Sequence, residues 1–233
     1  MAEQECSLLG GPFALVVQGG LAAGALCTLA YKRAVERPRR SLLVWSFDAS
    51  KQAWAGTLQH GVNLLLGVWL ARGGGRASEC AWYLLNFTIS IGCGIFLLWA
   101  AMRAYRQLVE RFGLTMLRSG EYGNPPSWKP WLAQLVVWGA ISAGEKLLTA
   151  LLLILPLHGS LDKFAWWVER PLVPYPNTEL LLVMVVAPVL LNPSGGVVDN
   201  IVMRKRPRGR MDEGSADEED MPLLTEESTA VTR

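Results

Sequence analysis

Charged residues are scarce in this sequence. Asp, Glu, Lys and Arg make up 18% of its 233 residues, whereas a soluble domain has about a quarter, and 51% of the residues are hydrophobic. This deficit argues against an ordinary soluble domain and favours a chain that lies largely in lipid. The formal net charge is only +2. We expect membrane lipid around the chain and no nucleic-acid partner.

Cysteine and histidine are also few, and the patterns of catalytic sites are missing. The four cysteines, Cys6, Cys27, Cys80 and Cys93, show no CxxC or Cys/His spacing, so neither a metal site nor a cofactor is predicted. A disulfide between Cys6 and Cys80 is not expected. HExxH, GxSxG and Walker-type glycine patterns are absent as well. The sequence therefore predicts a protein that is not an enzyme.

The N-terminus lacks the basic residues of a cleavable signal peptide. Residues 1–12 contain two Glu and no Lys or Arg, and the first apolar stretch is followed at once by basic residues. This pattern predicts a short lumenal N-terminus and an uncleaved first anchor.

Five apolar stretches are long enough to cross about 30 Å of hydrocarbon as helices. They are residues 13–31, 54–71, 82–102, 131–157 and 180–203. Polar residues interrupt the second stretch, and Pro188 together with residues 193–196 breaks the last one. We predict an all-α fold: a polytopic transmembrane bundle of five spans covering residues 13–203.

Basic residues alternate between the two sides that five spans define. Segments 32–51, 103–130 and 204–233 share one side and carry six, five and six of them. The N-terminus and segments 72–81 and 158–179 share the other side and carry none, two and two. Because the basic side faces the cytosol, we predict a lumenal N-terminus and a cytosolic C-terminus. The lumenal segment 158–179 is expected to lie against the membrane surface.

Polar side chains within the spans are the first candidates for function, because they are costly in hydrocarbon. They are His60, Asn63, Asn86, Glu145, Lys146, Asp199 and Asn200. His60 and Asn63 share a helix face and could meet Glu145. Two interpretations stay open: an ion or proton pathway, or interhelical hydrogen bonds that only hold the bundle together.

The C-terminal 30 residues, 204–233, are basic and then acidic. The juxtamembrane basic residues are Arg204, Lys205, Arg206, Arg208 and Arg210. They suffice as a topology anchor, and they could also attract anionic lipid. The acidic remainder is predicted to be disordered. Within it, Glu219 followed by Leu223 and Leu224 has the form of an acidic dileucine sorting signal, which predicts a clathrin-adaptor partner.

Several strings of the sequence resemble the STIMATE family. The loop residues that carry the resemblance are Ser46, Phe47, Asp48, Ser50 and Lys51, with Gly120, Glu121, Tyr122 and Gly123. His60 with Asn63, Asn86-Phe87, Glu145-Lys146 and the string 197–205 also match, in the same order along about two thirds of the chain.

The resemblance implies a multi-pass protein of the endoplasmic reticulum at junctions with the plasma membrane. Such a protein binds the calcium sensor STIM and promotes store-operated calcium entry. The short acidic tail and the dileucine pattern suggest a paralogue that could reside in a lysosomal or other post-Golgi membrane. The alternative function is a small transporter or ion-conducting bundle of an endolysosomal or vacuolar-type membrane, built on the intramembrane polar residues.

Overall fold

The computed structural model describes residues 6–191, and these residues are helical apart from their turns. The α-helices are α1 (Gly11–Val35), α2 (Leu42–Ala71), α3 (Glu79–Arg111), α4 (Trp128–Thr149), α5 (His158–Glu169), α6 (Pro176–Leu181) and α7 (Ala187–Leu191). Two π-helical turns, Ala150–Ile154 and Leu182–Val186, extend α4 and join α6 to α7, and a 3-10 helix covers Thr115–Leu117. No strand occurs within residues 6–191, so the all-α prediction is confirmed there.

Three helices have the length and composition of a membrane span. They are Gly11–Val35, Glu79–Arg111 and Trp128–Ile154, and a shorter apolar helix follows at Pro176–Leu191. These helices match the first, third and fourth predicted spans. The second and the last predicted spans, 54–71 and 180–203, stay predictions.

Helix α2 begins earlier than the predicted span. It starts at Leu42, where the hydroxyl of Ser41 accepts a hydrogen bond from the backbone N–H of Val44 as an N-cap. The residues Ser46 to Lys51 are therefore helical, and their assignment to a loop is wrong. The physical reason is that no Gly or Pro interrupts residues 42–55, so the helix continues past the edge of the apolar stretch.

Pro188 does not break the last described helix. The chain is helical from Pro176 to Leu191, with the π-helical turn Leu182–Val186 just before the proline. A proline ring crowds the carbonyl four residues earlier, here that of Met184, and the wider turn at this place relieves the crowding. The interruption predicted at residues 193–196 lies outside the described residues.

The long helices alternate in direction, so their bundle has two ends. At the first, called the disulfide end, residues 6–10, 70–82 and 155–179 meet. At the other, called the basic end, residues 32–51 and 103–134 meet. This alternation agrees with the side assignment made from the Lys and Arg residues.

The long helices leave much of their apolar surface uncovered. In the most apolar 18-residue segment of α1 only 11% of the residues are buried, and in that of α3 only 22%. Val16, Phe96 and Val189 are each more than 70% exposed. Contiguous apolar surface of this kind needs lipid around it. The chain is therefore a multi-pass membrane protein, as its composition predicts.

A disulfide joins Cys6 to Cys80, so the expectation that these cysteines stay unpaired is wrong. Their Cα atoms are 5.8 Å apart. Cys6 lies just before α1 and Cys80 in the first turn of α3, and these two helix starts meet at the disulfide end. Cys27 and Cys93 are free and exposed on the bundle surface.

Candidate functional site

Two strings of the family resemblance meet at the basic end. The group they form, called the motif cluster below, consists of Phe47, Asp48, Ser50, Lys51, Tyr122, Trp131 and Gln134. Asp48 is central to it: the Tyr122 hydroxyl donates a hydrogen bond to its carboxylate, and Arg40 pairs with that carboxylate. The Lys51 ammonium nitrogen lies 3.3 Å from Asp48 Oδ1. The start of α2 is thereby fastened to the loop between α3 and α4.

Aromatic rings fill the space beside these charges. The Phe47 ring centroid is 5.1 Å from that of Tyr122 and 5.5 Å from that of Trp131. Trp131 Nε1 donates a hydrogen bond to Ser50 Oγ at 2.9 Å. The Lys51 ammonium sits 4.8 Å above the centre of the Tyr122 ring, which is a cation–π distance.

Gln134 ties the loop to α4, and sequence reasoning missed it. Its Nε2 lies 2.8–3.1 Å from the carbonyl oxygens of Met116, Arg118 and Glu121, and its Oε1 accepts from Lys51 at 2.8 Å. Its side chain is completely buried. A single glutamine in an apolar run gives no sequence signal beyond its polarity. The structure shows that it satisfies loop carbonyls that have no helical partner.

Burial changes the proton affinities in the motif cluster. Burial, reinforced by the neighbouring Asp48 carboxylate, raises the pKa of Tyr122, so its hydroxyl stays a hydrogen-bond donor. Burial also lowers the pKa of Lys51, and the adjacent Asp48 carboxylate opposes that change. The cluster is therefore a closed polar network whose members hold one another in place.

The other loop residues of the resemblance shape the turn or stay outside the network. Gly120 and Gly123 both have φ of +87°, which favours glycine strongly. Glu121 is exposed and lies 3.8 Å from Arg118. Ser46 donates its hydroxyl proton to the carbonyl of Leu43 within α2.

Intramembrane polar residues of α2 and α3 form a second site, called the polar seam. Asn86 Nδ2 donates to Asn63 Oδ1 at 2.6 Å, and the Tyr83 hydroxyl lies 3.3 Å from His60 Nδ1. These contacts are interhelical hydrogen bonds. Asn86 Oδ1 and Ser90 Oγ are buried without a hydrogen-bond partner among the described residues.

Glu145 and Lys146 are buried farther along the bundle. The Glu145 carboxylate packs against Gly94 of α3 and accepts a hydrogen bond from Thr149 at 3.2 Å. Within residues 6–191 no salt bridge joins Glu145 to Lys146. The bonded partner of His60 is Tyr83 and not Glu145. Tyr83, Asn86, Ser90 and Gly94 nevertheless follow helical i+3 and i+4 spacing, so one face of α3 runs from the polar seam to Glu145.

Carboxylates at the disulfide end bind backbone N–H groups, and sequence reasoning missed them. Glu79 accepts from the Leu8 N–H at 3.0 Å. Asp162 accepts from the N–H of Arg76 and of Ala77. The signal available in the sequence was acidic residues beside helix starts on the side with few basic residues. The Glu179 carboxyl also lies near Cys6 and Cys80, but the two sulfurs are bonded to each other and offer no thiolate to a metal ion.

The remaining predicted residues lie outside the described range. They are Asp199, Asn200, the juxtamembrane basic residues 204–210 and the sorting pattern 219–224. Their assignments stay predictions.

Comparison with known proteins relates the chain to a protein family and to a yeast membrane protein. A model described as the STIMATE family matches residues 80–204, slightly more than half of the chain. The vacuolar membrane protein YPL162C of Saccharomyces cerevisiae is 28% identical over 210 residues, which is 80% of this chain and 75% of that protein. No solved structure matches the chain.

Proposed function

The chain belongs to the STIMATE family, and from this premise we propose that it is a non-enzymatic membrane regulator that binds a protein partner at its basic end. The family resemblance points to the calcium sensor STIM as that partner. The activity would be promotion of store-operated calcium entry at junctions between the endoplasmic reticulum and the plasma membrane. The observation that carries the proposal is the motif cluster, where the family strings meet.

The motif cluster is suited to hold a binding surface rather than to react. Lys51, Tyr122 and Gln134 are all more than 90% buried, so they do not themselves touch a partner. Their bonds fix the loop between α3 and α4 against α2. A rigid loop binds with less loss of conformational entropy than a mobile one.

Exposed apolar side chains lie on the loop that the motif cluster fixes. Phe112 is 66% exposed, Leu114 42% and Met116 49%. Arg111 and Arg118 flank them. Apolar groups with a basic rim suit a partner that presents apolar and acidic groups at the membrane surface. Binding shifts the partner toward an active conformation only if this surface prefers that conformation.

Calcium entry in cells that lack the protein tests this function. Wild type restores entry after store depletion and co-precipitates STIM. The Leu114→Ser/Met116→Ser double variant, which leaves the motif cluster intact, loses both activities at unchanged protein level. The matched control is Leu108→Ser/Leu152→Ser, also exposed apolar positions but outside this loop. Calcium entry that is the same with and without the protein would exclude the calcium role.

The sorting pattern in the C-terminal tail suggests which membrane the regulator resides in. We propose the endoplasmic reticulum, with a lysosomal or other post-Golgi membrane as the alternative that the vacuolar relative favours. Adaptor binding through Glu219, Leu223 and Leu224 would direct the protein to the second location. Changing Leu223 and Leu224 to Ala then moves it to the cell surface. An unchanged distribution of the variant removes the sorting signal from consideration.

A second candidate function is transport of an ion or small solute through the bundle. It is favoured by Asn86 Oδ1 and Ser90 Oγ, which have no hydrogen-bond partner within residues 6–191 and lie on the face of α3 that leads to Glu145. Buried polar atoms without a protein partner are often bonded to water or an ion. Proteoliposome flux that the Glu145→Gln variant abolishes, and that the exposed control Glu110→Gln leaves unchanged, supports this function. No flux above empty liposomes argues against it.

A further inference from the structure

Three side chains from separate elements meet at the disulfide end. Ser78 precedes α3 as its N-cap, Glu169 ends α5, and Glu179 lies in the first turn of α6. All three are more than 90% buried. Ser78 Oγ lies 2.9 Å from Glu169 Oε2 and 3.1 Å from Glu179 Oε1.

Counting hydrogens favours a shared proton in this arrangement. Ser78 Oγ accepts a hydrogen bond from the Ala81 N–H and has one hydrogen of its own to donate. It contacts two carboxyl groups, and one hydrogen satisfies only one of them. The second contact is a hydrogen bond only if a carboxyl group carries a proton and donates it. Glu169 also accepts from the Ser78 backbone N–H, which makes Glu179 the natural proton carrier.

The surroundings favour the protonated form. Glu79 on α3 is engaged with Ser7 and Leu8, and the near end of α1 presents Phe13, Ala14 and Val17, none of which is charged. The disulfide beside Glu179 does not titrate. Within residues 6–191 no salt bridge to Glu179 is formed. Burial, and to a smaller extent the charge of the neighbouring Glu169, raises the pKa of Glu179 to about 7.

We propose that Ser78, Glu169 and Glu179 form a proton-dependent latch, in which one proton held by the two carboxyl groups fastens α5 and α6 to the start of α3. The latch is a regulatory device that goes beyond the proposed partner binding and is independent of it. Loss of the proton leaves two carboxylates against one hydroxyl, and their repulsion releases α6. The side assignment from basic residues puts the latch in the lumen, so acidification of the lumen closes it.

Opening the latch uncovers the neighbouring core. Leu180, Val183 and Met184, which follow Glu179 in the helix, pack in one apolar cluster with Cys6 and Cys80. The two cysteines are only 5% and 0% exposed. Movement of this helix therefore gives water-soluble reagents access to the disulfide.

The direction of the pH effect follows from the raised pKa of Glu179. The folded protein binds more protons than the unfolded chain between the ordinary value of 4.5 and about 7. The free energy of unfolding therefore falls as pH rises through this window. The latch is closed at the acidic end of the window and released above its neutral end.

Reduction of the Cys6–Cys80 disulfide by a water-soluble phosphine tests the latch on the full-length protein in nanodiscs. Rates at pH 5.5 and pH 8 are each divided by the rate for the same protein unfolded in detergent at that pH. We expect the normalised rate of the wild type to rise at least about fivefold at pH 8. The Glu179→Gln variant, whose amide can donate to Ser78 Oγ without a titrating proton, is expected to lose this rise. The exposed control Glu110→Gln keeps it.

A second variant keeps the test decisive if Glu179→Gln fails to fold. Glu169→Gln removes the neighbouring negative charge that helps to raise the pKa of Glu179, so Glu179 ionises at lower pH and then faces no second carboxylate. The rise in disulfide access between pH 5.5 and pH 8 is therefore expected to be smaller in this variant than in the wild type. A wild-type rate without pH dependence overturns the proposal. So does a pH response of wild-type size in Glu169→Gln, or a full pH response in a folded Glu179→Gln variant.

Discussion

The Glu145 side chain explains why glycine occupies position 94. A Cβ atom at this position would overlap the Glu145 carboxylate, which is buried against the glycine in the bundle interior. Interiors are packed too closely to absorb an added methyl group without movement. The glycine therefore sets how near α3 and α4 approach at the level of Glu145.

Gly94→Ala is expected to destabilise the protein by about 1–3 kcal/mol through this overlap. Thermal unfolding of the purified protein in detergent measures the effect. Gly92→Ala is the matched control on the same helix, since a Cβ there meets no atom within 4 Å. The control should be neutral or slightly stabilising, because alanine favours helix over glycine. Equal effects of the two variants would contradict the packing argument.

Tyr122 supplies a hydroxyl donor to Asp48 in the motif cluster. Tyr122→Phe removes that donor and leaves the ring in its edge-to-face contact with Phe47. A hydrogen bond to a charged acceptor contributes about 1.5–3 kcal/mol, so a loss of this size in the free energy of unfolding is expected. Tyr175→Phe, at a 63% exposed position, serves as the control. The raised pKa of Tyr122 predicts that the difference is the same from pH 6 to pH 8.

For single residues, the sequence shows which polar side chains stand out, but it does not show which residues contact one another. Phe47, Asp48 and Tyr122 could be singled out by resemblance, but their meeting depends on how α2 and α4 pack. The Cys6–Cys80 bond was missed for the same reason, because 74 residues separate the two cysteines. Nothing in local composition indicates which helix starts are neighbours.

At the scale of elements, α5 is held to the turn between α2 and α3 by its carboxylates. Asp162 binds the N–H groups of Arg76 and Ala77, and a Cβ at Gly75 would overlap its carboxylate. The chain therefore approaches the carboxylate closely enough for both hydrogen bonds. The segment predicted only to lie on the membrane surface thus has a helix with defined attachments.

Asp162→Asn weakens this attachment, because the amide has one neutral acceptor oxygen in place of the two oxygens of a charged carboxylate. Opening of the turn should expose Arg72 and Arg76 to trypsin and raise the cleavage rate there by about tenfold, the equivalent of roughly 1.4 kcal/mol. Cleavage at Arg118, at the other end of the bundle, is an internal control and should keep its rate. An unchanged rate at Arg76 would show that the turn is held by other contacts.

The helices themselves were largely predictable from apolar length, and their ends were not. Hydropathy located α1, α3 and α4 because lipid-facing helices are apolar on most of their surface. It placed the start of the second span at residue 54, since hydropathy marks where lipid begins and not where a helix begins. The N-cap at Ser41 determines that start. Pro188 was read as a break because the π-helical turn before it depends on tertiary context.

At the scale of the whole molecule, two independent arguments predict that the disulfide end faces the lumen. Basic residues concentrate at the other end, as they do on the cytosolic side of membrane proteins. A disulfide persists in an oxidising compartment, which the cytosol is not. The two arguments use different residues and agree, so the orientation of the bundle can be tested with one experiment.

Labelling of single cysteines in sealed microsomes carries out that test. Cys27 and Cys93 are replaced by Ala, and the bonded Cys6 and Cys80 do not react. Glu121→Cys at the basic end is expected to react with a membrane-impermeant maleimide, because its side chain is exposed and this end is predicted to face the cytosol. Lys163→Cys, at an exposed position of α5, should react only after the membrane is permeabilised. The reverse pattern would place the basic end in the lumen, and with it the proposed partner surface. Reaction of both cysteines in sealed microsomes would mean that the bundle does not cross the membrane as the two ends require.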